Sequence, residues 1–419
     1  LERQIQLEDD SARRRALRLE LADTLNQHLE RQGEAASILE QILTEEPDDS
    51  ETDLSPVHDA LVELHLSSND AEALSGALAA RLEHLKAAKA PVQLLADHET
   101  TLGMLAYGTR EDRWRIKTSV DHYEAALAYV PGHSLASTRL EELLASEDYR
   151  RRIAEILERD AAARDARLQV AETLEVQVVC ALEVDANDDA LELLERLARL
   201  YRDELQRWDE AWSTLMRLVS LDPSREAAIT DLEALTDELG RWRHVAALYE
   251  DLAQNTEERA RWLAACARTW HYRLGEMDTA RRHYEAMAEL EETEDEALEA
   301  LEEIFRALDR PDVLLEVLER RLEKTTDSEL QIERLIELSE LLQDRLRRYP
   351  DAVSHLSRAR DMAPGSELIH ERLISLLGLT ESWDAMGHTL EAYIEHVRED
   401  PKRLVVARDR LARVREQRL

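Results

Sequence analysis

The sequence predicts an all-α fold, a right-handed superhelical solenoid of about ten antiparallel helical hairpins. Three observations carry this expectation. Leu, Ala, Glu and Arg, all good helix formers, dominate the 419 residues, while Gly (10) and Pro (9) are scarce and Phe occurs once. No apolar/polar alternation flanked by turn residues reads as a strand. One pattern also recurs: a polar opening, a small residue, spaced apolar residues and a closing Pro. RWDEAWSTLMRLVSLDP shows it at 207–223, and related stretches end at Pro47, Pro131 and Pro364.

The spacing defines the repeated unit. Ala35, Ser119, Ala211, Ala280 and Ala352 lie 12 positions before Pro47, Pro131, Pro223, Glu292 and Pro364. Upstream, Ala22, Ala198, Ala267 and Ser339 stand 13 residues before Ala35, Ala211, Ala280 and Ala352. A pair of small residues on successive helices permits the close approach of a tight antiparallel hairpin. The Pro then stops the second helix, because it lacks an N–H and restricts the residue before it.

The hairpins divide the chain. Residues 1–133 read as N-terminal repeats with an inserted loop, GTREDRWRIK at 108–117. Residues 134–186 read as an irregular segment holding three helical patterns in place of two. Residues 187–399 read as regular repeats: LGRWRHVAALYEDLA (239–253) aligns with LDRPDVLLEVLERRL (308–322) at an offset of 69. Ala211 to Ala280 is also 69 and Ala280 to Ala352 is 72, so the period is a two-hairpin unit. Residues 400–419 read as a basic C-terminal helix on a stripe of Leu404, Val405, Leu411 and Val414, either a cap or the first helix of a further repeat.

These features resemble the tetratricopeptide repeat family, whose unit is about 34 residues. Ala198 and Tyr201 resemble the small and aromatic positions of its first helix. Ala211, Leu215 and Leu218 resemble the packing positions of its second, and Pro223 the terminal Pro. Three departures stand out: the small-to-small spacing is one residue longer than usual, the first helix is elongated, and the Trp at its start is missing. The resemblance implies a ligand groove lined by first helices, and there Arg199, Arg202, Arg268 and His271 are the expected partner-binding residues. A guanidinium offers a planar fork to a peptide carboxylate or acidic side chain; the competing reading is ordinary pairing with nearby Glu residues. The Lys and Asn positions of the family's C-terminal carboxylate clamp are not recognisable. The wording of the repeats resembles large bacterial members.

Other chemistry is thinly represented. No His-Glu-x-x-His, Gly-x-Ser-x-Gly or phosphate loop occurs, so the chain is expected not to be an enzyme and to need no cofactor. His58 and His65 share a helical face, but no third ligand completes a metal site. EETEDEALEALEE (291–303) lacks the Gly and alternating ligands of a calcium loop; it reads as a solvated helix start or a patch for a basic partner. Trp208, Trp242 and Trp383 fall at turns and are expected to pack between repeats. Cys180 and Cys266 read as small buried residues.

The formal charge of −37, from 91 acidic and 54 basic residues, opposes a nucleic-acid or anionic-membrane surface. No run is long enough to span a bilayer. The compartment stays open, and the Leu-Glu-Arg start reads as a fragment or processed product. The expected function is a non-catalytic scaffold that docks a protein or peptide. The alternatives are a structural subunit that self-associates or joins a larger assembly, and a regulatory region cut from a multidomain protein.

Overall fold

A computed structural model describes all residues except 29–30, 46–52, 69, 108–112 and 418–419. Pro47 and the first half of the expected loop at 108–117 therefore lie outside the described residues. Within them the chain is all-α, with 23 α-helices and no strand. Two compact units, Leu1–Leu232 and Glu233–Leu419, divide it.

The first unit begins with α1 (Glu2–Leu7), α2 (Ser11–Gln27), α3 (Gln32–Glu45), α4 (Ser55–Ser68) and α5 (Ala71–Ala87). It continues with α6 (Val92–Tyr107), α7 (Arg113–Tyr129), α8 (Ser134–Leu143), α9 (Arg150–Ala163) and α10 (Arg167–Glu183). α11 (Asn187–Arg199), α12 (Trp208–Leu221) and the start of α13 (Glu226–Leu239) complete it. The second unit holds α14 (Trp242–Asn255), α15 (Arg259–Arg268), α16 (Met277–Met287), α17 (Glu294–Ala307) and α18 (Pro311–Lys324). It ends with α19 (Ser328–Asp344), α20 (Tyr349–Met362), α21 (Glu367–Leu379), α22 (Trp383–His396) and α23 (Pro401–Gln417).

Small residues sit where the helices touch. Ala35, Ser119, Ala211, Ala267, Ala280 and Ala352 are fully buried, and Ala22, Ala198 and Ser339 nearly so. Helices in these pairs lie close because no larger side chain separates them. Each described Pro of the motif follows its helix within two residues: Pro131 after Tyr129, Pro223 after Leu221, Pro364 after Met362.

A second device closes the hairpins. Asp185, Gln206, Gly240, Gly275, Asp309, Arg347 and Glu381 all have φ between 51° and 68°, and each stands two positions before the next helix. This left-handed residue reverses the chain and lets the following N–H reach back to the first helix. Arg241, Arg310 and Ser382 donate to carbonyls five residues back, on Thr236, Phe305 and Leu377. Arg31, Arg207, Glu276 and Arg348 donate six residues back, to Leu25, Tyr201, Trp270 and Leu342.

That difference accounts for the long spacing. The four six-residue closures belong to the four hairpins whose small residues are 13 apart. In two of them the extra residue is taken up as a π-helical turn, Leu200–Glu204 and Thr269–Arg273. In a third, Leu346 donates to Leu341 in the same wide pattern. From α11 onward, wide and ordinary closures alternate along the chain, so the sequence period spans two hairpins.

Between α7 and α12, both second helices of the motif, stand four helices, whereas strict alternation demands an odd number. The surplus falls where 134–186 holds α8, α9 and α10. Next-but-one helices lie side by side here: Arg196 of α11 pairs with Glu158 of α9 at 2.5 Å, and Arg217 of α12 with Glu175 of α10 at 2.8 Å. The second helix of the motif therefore changes layer within this unit. Gly132 at the α7–α8 turn has φ +76°, and an added Cβ would lie 2.5 Å from the Arg164 side chain. Its N–H donates to the buried Asp160 carboxylate at 2.7 Å.

Cys180 and Cys266 are buried and unbridged, and burial pushes the Cys266 thiol up to about 12. Trp242 is buried and donates to Asp237 at 2.8 Å, and Trp383 packs against the cluster of Ile374, Leu390, Leu411 and Val414. Trp208 departs from the expectation and stays 47% exposed. Of the stripe on α23, Leu411 and Val414 are buried while Val405 is exposed.

Ala211→Leu forces a larger side chain into the α11–α12 contact. It should cost about 1–3 kcal/mol, read as a lower urea midpoint with an unchanged slope.

Candidate interaction face

The first helices of the regular repeats, α11, α13, α15, α17, α19 and α21, carry the residues singled out in the sequence. Arg199 and Arg202 belong to the first unit, Arg268 and His271 to the second, and each pair is described within its own unit.

Arg199 is 67% exposed and makes one long ion pair, 3.4 Å, with Glu195 on its own helix. Arg202 is held by Asp203 at 2.7 Å and by Asp231 of α13 at 2.6 Å. Its hydrogen bonds to Asp203 and then Asp231 raise its pKa further. Arg268 forms a two-pronged pair with Glu296 of α17, at 2.6 and 2.7 Å, and that bond raises its pKa too. Each of these arginines meets a carboxylate of this chain, so an incoming carboxylate at Arg202 or Arg268 competes with one already bound.

His271 does not face the groove. It is only 8% exposed, stacks on Tyr272 at 4.2 Å and meets the edge of Tyr284 at 5.8 Å. The π turn at Thr269–Arg273 explains the correction. A wider turn advances the chain through a smaller angle per residue, so the outward position falls one residue later. Tyr272, 63% exposed, takes it.

The pairs form a ladder between successive first helices. In the first unit Arg202 joins α13 through Asp231, and Arg225 pairs back to Glu195 of α11. In the second, Arg268 joins Glu296, Arg306 of α17 joins Glu337 of α19, and Glu340 of α19 joins Arg372 of α21. Arg403 of α23 completes it with Glu367 of α21 at 3.0 Å. Exposed pairs of this kind contribute about 0.2–1 kcal/mol each, so the ladder sets register between repeats more than it stabilises them. Sequence reasoning found the arginines and missed their partners. The available signal is a separation of roughly one hairpin between opposite charges.

The acidic run at 291–303 is largely absorbed in the same way. Glu294 binds Arg320 at 2.9 Å and Lys324 at 2.5 Å, and Glu302 is buried against Arg306 and Arg321. Glu303, Glu333 and Asp344, on α17 and α19, are exposed and make no ion pair among the described residues. His58 stacks on His84 at 4.9 Å. Among the described residues no group of three or more His, Cys, Asp or Glu side chains gathers as a metal site, and no helix is long and apolar enough to cross a membrane.

The fold defines the chain as an all-α protein built from repeated antiparallel helical hairpins. No protein-family profile matches it, and no curated protein matches it in sequence. Among solved structures it is similar to Naa15/Naa10 bound to HypK-THB, with 12% identity, a TM-score of 0.24, and coverage of 92% of this chain and 64% of that one. The chain thus spans less than two thirds of that neighbour's length. It is also similar to the P58(IPK) TPR domain, with 14% identity, a TM-score of 0.21, and coverage of 88% and 98%.

Hydrogen bonds hold several carboxyls below their usual range: Asp203 through Arg202, Glu294 through Lys324 and Asp97 through His133. Depressed folded pKa values add stability that is present above the unfolded values near 4 and is lost as pH falls through the folded ones. Urea midpoints should therefore fall as pH drops below about 4.

Proposed function

We propose that this chain is a non-catalytic scaffold of the tetratricopeptide kind that docks a protein or peptide partner on its first-helix face. The observation that supports this reading is the state of that face in the second unit. Glu303, Glu333 and Asp344 stand exposed and unpaired, and Tyr272, Leu368 and Leu379 are exposed beside them on neighbouring first helices. Unpaired carboxylates interleaved with exposed apolar side chains suit a segment bearing Lys or Arg, and charge of one sign also speeds its encounter. Arg199, whose pair is long and exposed, is the cation most available to a carboxylate on the partner, whereas Arg202 and Arg268 act as rungs between repeats.

The test is capture of crosslinked partners from native cells by the wild-type chain and by a Glu303→Lys/Glu333→Lys/Asp344→Lys variant. Glu316→Lys, at an exposed acid of second helix α18, is the control. The triple variant should recover a given partner at least about tenfold less well while melting normally, and wild-type recovery should weaken with added salt. Equal recovery by all three chains would remove the first-helix face from the account.

A further inference from the structure

One pair of neighbouring helices in the first unit lacks the rung that its counterparts carry. From α7 to α12, next-but-one helices are joined by an arginine. Arg152 of α9 binds Asp121 and Glu124 of α7 at 2.6 and 2.8 Å, Arg196 of α11 binds Glu158 of α9, and Arg217 of α12 binds Glu175 of α10. Among the described residues no ion pair joins α8 to α10. Instead a cavity of about 380 Å³ opens between them, over α9. Ala154, Leu157 and Ala161 of α9 give it an apolar floor, which Leu144 and Val176 extend. Glu141 on the α8 wall and Glu172 on the α10 wall are exposed, and neither makes an ion pair among the described residues. Arg164 also lines the cavity, but Asp160 at 2.8 Å and Gln169 at 2.9 Å already hold its guanidinium. The gap coincides with the surplus helix, where the register of the repeat is lost.

The chemistry of the walls narrows the occupant. Glu141 and Glu172 only accept hydrogen bonds. Thr138 and Thr173 donate their hydroxyl hydrogens to the backbone carbonyls of Ser134 and Gln169, at 2.9 and 3.0 Å, which leaves their oxygens as acceptors. An occupant therefore brings positive charge and several donors, on a stem apolar enough to lie along Leu157 and Val176. An acidic side chain is repelled here, and an uncharged apolar one strips water from the carboxylates without pairing them. Lysine supplies three donors on a compact charge. Arginine supplies five in a planar fork that serves two carboxylates at once, as Arg202 does between Asp203 and Asp231. Every rung named above is an arginine. An engineered apolar cavity of about 150 Å³ admits benzene, so the volume here suffices for an arginine side chain and an apolar neighbour.

We infer that the α8–α10 cavity is a second docking site, which takes an arginine of a basic partner segment, its stem on Leu157 and Val176 and its guanidinium between Glu141 and Glu172. The partner thus supplies the rung that this chain omits. The site belongs to the first unit and to the layer of the second helix α12, and is separate from the acidic first-helix face proposed above.

The experiment titrates the full chain, methyl-labelled at Leu157 and Val176, with three capped tripeptides of the form leucine–X–leucine. X is arginine, lysine or citrulline, which keeps the shape of arginine and loses its charge. The expected result is that the arginine peptide shifts both residues and binds at least about fivefold more tightly than the citrulline peptide, a preference that shrinks with added salt. Glu141→Gln/Glu172→Gln, at two exposed positions, should abolish most of that preference without lowering the melting temperature. No shift at Leu157 and Val176, or a preference unchanged in the double variant, overturns the site. Lysine binding as tightly as arginine overturns the guanidinium as its occupant. The Glu303→Lys/Glu333→Lys/Asp344→Lys variant should bind the arginine peptide here as the wild type does, so the two docking readings fail separately.

Discussion

Everything in this fold depends on one contact: two antiparallel helices brought together at a small buried residue and joined by a turn with a single left-handed residue. Ala211 against α11 and Ala280 against the π-wound end of α15 are representative. The turn fixes where the second helix begins, and the small residue fixes how near it lies. Once both are set, the remaining side chains of each helix fall on two faces, one toward the next hairpin and one toward solvent. A left-handed conformation costs a residue other than glycine about 1 kcal/mol. The chain nevertheless accepts it at Gln206, Asp309, Arg347 and Glu381. The closing hydrogen bonds and the packing behind them outweigh that cost.

A single extra residue shows how tightly face and turn are coupled. In two of the wide-closing hairpins it is stored as a π turn at the end of the first helix, and everything after it shifts by one position. That shift leaves His271 buried and Tyr272 exposed. The candidate face is thus set by backbone winding as much as by residue type: Arg199 and Arg268, upstream of the π turns, stay exposed, while Arg202 and His271, within them, are more buried.

Much of this was legible in the sequence. Small residues at fixed spacing marked the hairpins because packing allows no larger side chain there, and Pro131, Pro223 and Pro364 marked helix ends because Pro cannot continue one. The spacing of 13 was visible as a departure, but its meaning was not, since a lengthened first helix and a π turn read identically in one dimension. The partners of Arg202 and Arg268 escaped notice because they lie a hairpin away, where only folding brings Asp231 and Glu296 alongside.

From α11 onward a left-handed residue in the hairpin turn limits how readily each hairpin closes, and a reciprocal pair of substitutions measures it. Gly240 has φ +66° and open space around an added Cβ, while Gln206 holds φ 53° without glycine's freedom. Urea unfolding of Gly240→Ala should show a loss of about 1 kcal/mol, and Gln206→Gly a gain of up to about that size, trimmed by the added flexibility of the unfolded chain. An unchanged midpoint for Gly240→Ala, or a loss for Gln206→Gly, would contradict the account.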